Sequence, residues 1–127
     1  MSQDDRTDVL IIEDDPGCTE LICDVLRDLG LRTSTVDSVQ DALFAIPSKS
    51  PRLIILDLML PDGDGLQVLD AVRADSITAR TPVILCTGAL FELQASRDLG
   101  GDGLTSLLVK PFHIDTFTRL ITSLLST

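Results

Sequence analysis

Val9-Leu10-Ile11-Ile12-Glu13-Asp14-Asp15 is four apolar residues followed by three acids, and Leu53-Ile54-Ile55-Leu56-Asp57 repeats the pattern. A continuous apolar run this short reads as a strand buried on both faces of a parallel sheet. In such sheets, ligands bind beyond the carboxyl ends of the strands. Two strands that both end in acid therefore point at one shared acidic pocket. Clustered carboxylates suit a hard metal ion and phosphoryl chemistry.

Outward from these two runs, strand and helix signals alternate. Val9–Glu13 is the first expected strand. Asp15 can cap a helix with Pro16 in its first position, where a missing N–H costs nothing. Leu21, Ile22, Val25, Leu26 and Leu29 recur at helical spacing, and Gly30 is a stop signal. Leu31–Val36 reads as a second, more polar strand at a sheet edge. Ser38 can cap a short helix that runs through Ile46 and ends at Pro47. Leu53–Leu56 is the third strand. The segment 61–65, Pro-Asp-Gly-Asp-Gly, reads as a loop before a helix bearing Leu66, Val68, Leu69 and Val72. Pro82–Cys86 is the fourth strand, Ala89–Leu99 a helix of mixed pattern, and Gly100, Gly101 and Gly103 mark its end. Leu107–Val109 belongs to a fifth strand. Ile114, Phe117, Leu120, Ile121 and Leu124 mark a last amphipathic helix. Five βα units in alternation predict an α/β fold, a doubly wound domain around a five-stranded parallel sheet. Residues 1–8 read as a disordered tail and residues 9–127 as one domain.

Composition narrows the function. The chain has 127 residues and a formal charge of −10, with only ten basic residues, scattered along it. Direct nucleic-acid binding needs clustered Lys and Arg, so the charge argues against it, as it does against anionic membrane surfaces. The three cysteines, Cys18, Cys23 and Cys86, include no CxxC pair, which disfavours framework disulfides and structural zinc and points to a reducing, cytoplasmic setting. The polar N-terminus is not a signal peptide, and no apolar run approaches the ~20 residues of a membrane span.

The expected strand ends carry Glu13 and Asp14, Asp57, Thr87 and Lys110: three carboxylates, a hydroxyl and an ammonium. Carboxylates can hold Mg2+ or act as the nucleophile that forms an aspartyl-phosphate. In-line phosphoryl transfer asks mainly for positioning and charge neutralisation, which a lysine and a hydroxyl can supply.

These residues lie in VLIIEDD, LIILDLMLPDGDG, ILCTGA and LVKPF, in order. The set resembles the receiver domains of response regulators in two-component signalling, over about residues 8–125. The resemblance implies the flavodoxin-like strand order 2-1-3-4-5. It implies Asp57 as phosphoacceptor, and Glu13, Asp14, Asp57 and the Met59 carbonyl as ligands of Mg2+. It implies Thr87 and Lys110 as phosphoryl contacts, and a cis Lys110–Pro111 peptide. Implied partners are a sensor histidine kinase or histidine phosphotransfer protein, with a downstream protein target. Such a domain is a switch rather than an enzyme, although it catalyses parts of its own phosphorylation and dephosphorylation. The family usually carries Tyr or Phe three residues before this lysine. Here that position is Leu107, so output through the 89–99 helix, the last strand and the last helix must work without an aromatic.

Other readings use the same residues. A degenerate, unphosphorylated receiver would serve as a protein-binding module, and Leu107 favours that. An aspartyl-phosphate phosphohydrolase would want an acid where Met59 stands. A flavin binder would want Trp or Tyr, and the chain has neither. Asp62 and Asp64 lack the spacing of a calcium loop and read as solvated turn residues. His113 reads as the start of the last helix and Cys86 as a small core residue.

Overall fold

The computed structural model describes residues 7–88 and 103–126. Its elements are β1 (Val9–Ile12), α1 (Pro16–Asp28), β2 (Thr33–Val36), α2 (Val39–Lys49), β3 (Leu53–Leu56), β4 (Met59–Leu60), β5 (Gly63–Asp64), α3 (Gly65–Ala74), β6 (Val83–Thr87), β7 (Thr105–Val109) and α4 (Ile114–Leu125). Five strands form one parallel sheet in the order β2-β1-β3-β6-β7. Counting these strands alone, this is the flavodoxin-like 2-1-3-4-5 order. The expected helix at 89–99, with Gly100 and Gly101, lies outside the described residues.

Period-two alternation divides the buried strands between two cores. Leu10, Ile12, Ile54, Leu56, Val83 and Leu85 face α2 and α3 and pack with Val39, Ala42, Ile46, Val68, Leu69 and Val72. Val9, Ile11, Leu53, Ile55, Ile84 and Cys86 face α1 and α4 and pack with Ile22, Leu26, Phe117 and Ile121. Both faces being covered explains why β1 and β3 contain nothing but apolar residues. Among the described residues, no helix is long and apolar enough to cross a membrane.

The helix ends follow local chemistry. The Asp15 carboxylate accepts the Gly17 N–H at 3.0 Å, and Pro16 opens α1. Gly30, at φ +78°, closes α1 in a Schellman arrangement: its N–H bonds the Arg27 carbonyl and the Leu31 N–H bonds that of Leu26. Leu31 is thus committed to the helix cap, and β2 starts only at Thr33, two residues later than the pattern suggested. A second correction concerns Pro47, which does not end α2. The helix runs on to Lys49 and stops at Ser50, with φ 45°, before Pro51. Leu43, whose carbonyl Pro47 cannot serve, is an exposed residue, so water can satisfy it, and Ser50 N–H still bonds the Ile46 carbonyl.

Three further boundaries move. Thr87 is the last residue of β6 rather than the residue after it. Segment 61–65 is not wholly a loop, because Met59↔Asp64 and Leu60↔Gly63 pair as a small antiparallel hairpin. Thr7 and Asp8 are not tail: Thr7 is buried against the Ser34 hydroxyl at 2.8 Å. The Asp8 carboxylate accepts the Arg32 N–H at 2.8 Å, and its carbonyl accepts the Arg52 N–H at 2.9 Å. Residues 1–6 of the expected tail lie outside the described set.

Phe117 is fully buried against the α1 face, whereas Phe44 on α2 is 82% exposed. Phe117→Ala is expected to cost about 3–5 kcal/mol, and Phe44→Ala to stay within about 0.5 kcal/mol. Urea unfolding of both variants checks this, and equal losses would contradict the two-core description.

Candidate functional site

Register brings the acids together. Ile12 of β1 pairs with Leu56 of β3, so the next residues, Glu13 and Asp57, emerge side by side at the carboxyl edge. The backbone continues the ladder past the strand ends: Asp57 N–H bonds the Ile12 carbonyl at 2.9 Å and Glu13 N–H bonds that of Val36 at 3.0 Å. Glu13, Asp14 and Asp57 each offer an oxygen, all within 4.8 Å of one another. Glu13 and Asp57 are buried at 4% and 6% exposure, while Asp14 is exposed.

Lys110 reaches the same point from the end of β7. Its Nζ donates to Glu13 Oε1 at 2.8 Å and to Asp57 Oδ2 at 2.9 Å. Its own N–H bonds the Thr87 carbonyl at 3.1 Å, which carries the β6–β7 pairing one residue further. Thr87 is buried at the end of β6, and the Lys110–Pro111 peptide is cis. The second Asp57 oxygen, Oδ1, accepts the Met59 backbone N–H at 2.9 Å. Both carboxylate oxygens of Asp57 are therefore engaged. The Met59 side chain is exposed, and Leu107 is exposed on the edge strand β7.

Three carboxylates and one ammonium leave the site short of positive charge. Burial raises Glu13 above its usual value; the bond from Lys110 opposes this and the neighbouring Asp57 adds to it. Burial alone would lower the Lys110 ammonium, but its bonds to Glu13 and Asp57 win and hold it above its ordinary range. A cluster of exposed and buried carboxylate oxygens with no sulfur or imidazole is a hard donor set of the kind that takes Mg2+. A cleft of about 420 Å3 opens beside Glu13 and Asp14 and is lined also by Glu20, Asp37 and Asp41. Burial pushes the Cys18 thiol up to about 11 and that of Cys86 up to about 12.

Two participants were not legible in the sequence. Gly65, read as part of a loop, opens α3 directly against the Asp57 backbone. A Cβ there would lie 2.5 Å from the Asp57 carbonyl oxygen and 2.8 Å from Leu58 Cα, so only glycine fits. Asp62 is exposed yet not merely solvated, because its carboxylate accepts the Val39 N–H at 2.7 Å and the Gln40 N–H at 3.1 Å. These bonds hold its acid below the usual range. The Asp64 carboxylate caps α3 in a capping box with Gln67. His113 precedes α4 and makes no side-chain cap.

Comparison with known proteins agrees with this fold. The family model of the response regulator receiver domain matches residues 9–122, and the chain belongs to that family. Receiver domains take phosphoryl groups from histidine kinases, and a phosphoacceptor role is general among them. The chain is 35% identical over 118 residues to the DNA-binding dual master transcriptional regulator RpaA of Synechocystis, covering 92% of this chain and 48% of that protein. It is 33% identical over 107 residues to the DNA-binding response regulator MtrA of Mycolicibacterium smegmatis, covering 84% of this chain and 45% of that protein. The chain thus spans about half the length of the curated relatives it matches. Among solved structures, the receiver domain of the sensor histidine kinase PA1611 from Pseudomonas aeruginosa superposes with a TM-score of 0.80 at 25% identity, over 96% of this chain and 99% of that one. That structure has a magnesium ion coordinated in its active site cleft. The chemotaxis response regulator CheY4 of Vibrio cholerae superposes with a TM-score of 0.82 at 25% identity, over 94% and 99% of the two chains.

The raised Glu13 fixes the sign of one pH effect. The folded state holds this proton more tightly than the unfolded chain, whose group titrates near 4.5. Its contribution to stability is therefore full below that value and is lost as pH rises through the raised folded one. In a chelator, the stability of Glu13→Gln relative to the wild type should increase as pH climbs from 4.5 to neutrality. Urea titrations across that range measure the difference, and a pH-independent difference contradicts the assignment.

Proposed function

We propose that this chain is a phosphoacceptor switch in which Asp57 takes a phosphoryl group from a phosphohistidine of a partner kinase or phosphotransfer protein. The observation that carries the reading is the Glu13–Lys110–Asp57 arrangement, with the ammonium 2.8 and 2.9 Å from two buried carboxylates. In the transfer, an Asp57 oxygen forms a bond to phosphorus as the N–P bond of the partner's imidazole breaks, and the leaving imidazole takes up a proton. Hydrolysis of the acyl phosphate restores the carboxylate and resets the switch.

Each side chain has a part. Glu13 and Asp14, with Asp57 and the Met59 carbonyl, would hold Mg2+. When bound, that ion supplies charge neutralisation for the phosphoryl oxygens. The Lys110 ammonium holds the nucleophilic carboxylate in place and faces the incoming phosphoryl charge, and Thr87 stands on the neighbouring strand as a hydroxyl donor to it. The phosphoryl group adds a charge of about −1.5 to −2, by analogy with other phosphorylations. That charge draws Thr87 and Lys110 inward and biases the surface formed by β7 and α4. The formal charge of −10 favours a protein target over nucleic acid for this chain.

Incubation with a small-molecule phosphodonor and Mg2+, followed by intact mass, tests the reading. The expected result is a gain of one phosphoryl group that needs the cation and disappears in Asp57→Asn. Wild type that binds Mg2+ but gains no mass would instead favour the unphosphorylated binding module, the alternative that Leu107 supports.

A further inference from the structure

A hairpin begins two residues after Asp57. Met59, whose N–H bonds Asp57 Oδ1, is the first residue of β4. The tip of the hairpin carries Asp62, and its carboxylate binds the first two N–H groups of α2, which lies 22 and 23 residues earlier in the chain. Those groups have no partner within the helix, so an acid from elsewhere caps them beside the local Ser38 cap. The tip also rests on α2 sterically, since a Cβ on Gly63 would meet Val39 Cγ2 at 3.3 Å. On the other side, Gly65 N–H bonds the Leu58 carbonyl at 2.9 Å and fixes the hairpin base to the acceptor strand.

We infer that this hairpin is a mechanical link from the acceptor carboxylate to the N-terminal turn of α2, separate from the β7–α4 edge. The inference rests on phosphorylation of Asp57. In the free state, Met59 N–H donates to a carboxylate oxygen, a charge-assisted bond. Once Asp57 is an acyl phosphate, Oδ1 is either the ester oxygen or a neutral carbonyl oxygen. In both cases the acceptor loses its share of negative charge and the bond weakens by roughly half. The hairpin is held by two residue pairs of its own, the Gly65–Leu58 bond, the buried Leu60 side chain, the Asp64–Gln67 capping box and the Asp62 cap, and the Asp62 bonds are the ones that reach the α2 amides. Loosening at Met59 therefore passes to Asp62 and frees the Val39 and Gln40 amides. Gln40 and Asp41 in the first turn of α2 are exposed, so a change there is a change at the molecular surface. By linkage, weakening the Asp62 cap must also shift the equilibrium at Asp57.

Amide hydrogen exchange at Val39 and Gln40 tests this on the full chain, with and without a phosphodonor and Mg2+, with intact mass read on the same samples. Halving one charge-assisted bond predicts about a four- to twelvefold fall in protection of these two amides on phosphorylation. Asp62→Ala should show low protection at both amides before phosphorylation and no further fall after it, with Asp62→Asn intermediate. Asp62 is exposed, and thermal melts confirm that both variants fold. A full mass gain with unchanged exchange at Val39 and Gln40, or an unaltered response in Asp62→Ala, overturns the link. No mass gain in the wild type overturns the phosphoacceptor reading itself and the link with it.

Discussion

Two carboxylates held side by side out of water are the constraint on which this structure turns. Isolated, a buried carboxylate would take up a proton rather than stay charged. Here Glu13 and Asp57 share one ammonium, and each has a backbone N–H as well: Asp15 N–H on Glu13 at 3.2 Å and Met59 N–H on Asp57 at 2.9 Å. The arrangement needs β1, β3 and β7 in their observed places, because the three side chains arrive from three strand ends. Sheet order and register are therefore part of the chemistry.

The surroundings of that trio divide the labour. On one side, β6 and β7 deliver Thr87 and Lys110, and the pairing of Thr87 with Val109 sets how far Lys110 extends. On the other, the chain turns sharply after Asp57 and folds back on itself, so Gly65 sits against the Asp57 backbone. The turn is stiff where glycine permits close approach and tethered where Asp62 caps a distant helix. A group that changes charge at Asp57 thus has two neighbours able to respond, the strand-end lysine and the hairpin amide.

Legibility in the sequence followed the range of the interaction. Local signals read well: Asp15 and Pro16 at the start of α1, Gly30 at its end, and the apolar runs of β1 and β3. Pro47 misled because it falls in the last turn of α2, where the Leu43 carbonyl it abandons belongs to an exposed residue, and exposure is not a local property. Leu31 misled because its N–H was already committed to a helix cap. Asp62 could not be read as a cap at all, since its partners Val39 and Gln40 precede it by more than twenty residues.

The sequence by itself determined the chemistry on offer. Acid after two buried runs, a threonine and a lysine at the ends of two later strand signals, and alternating periodicity specified an α/β sheet with a polar carboxyl edge. Pattern can do this because side-chain period and strand polarity are properties of consecutive residues. Tertiary structure alone decided which charges met. It set Lys110 between Glu13 and Asp57, left Asp14 in solvent while burying its neighbour, and seated the Asp62 hairpin on α2. Those outcomes depend on strand order and register, which arise only when distant segments compete to bury the same apolar faces.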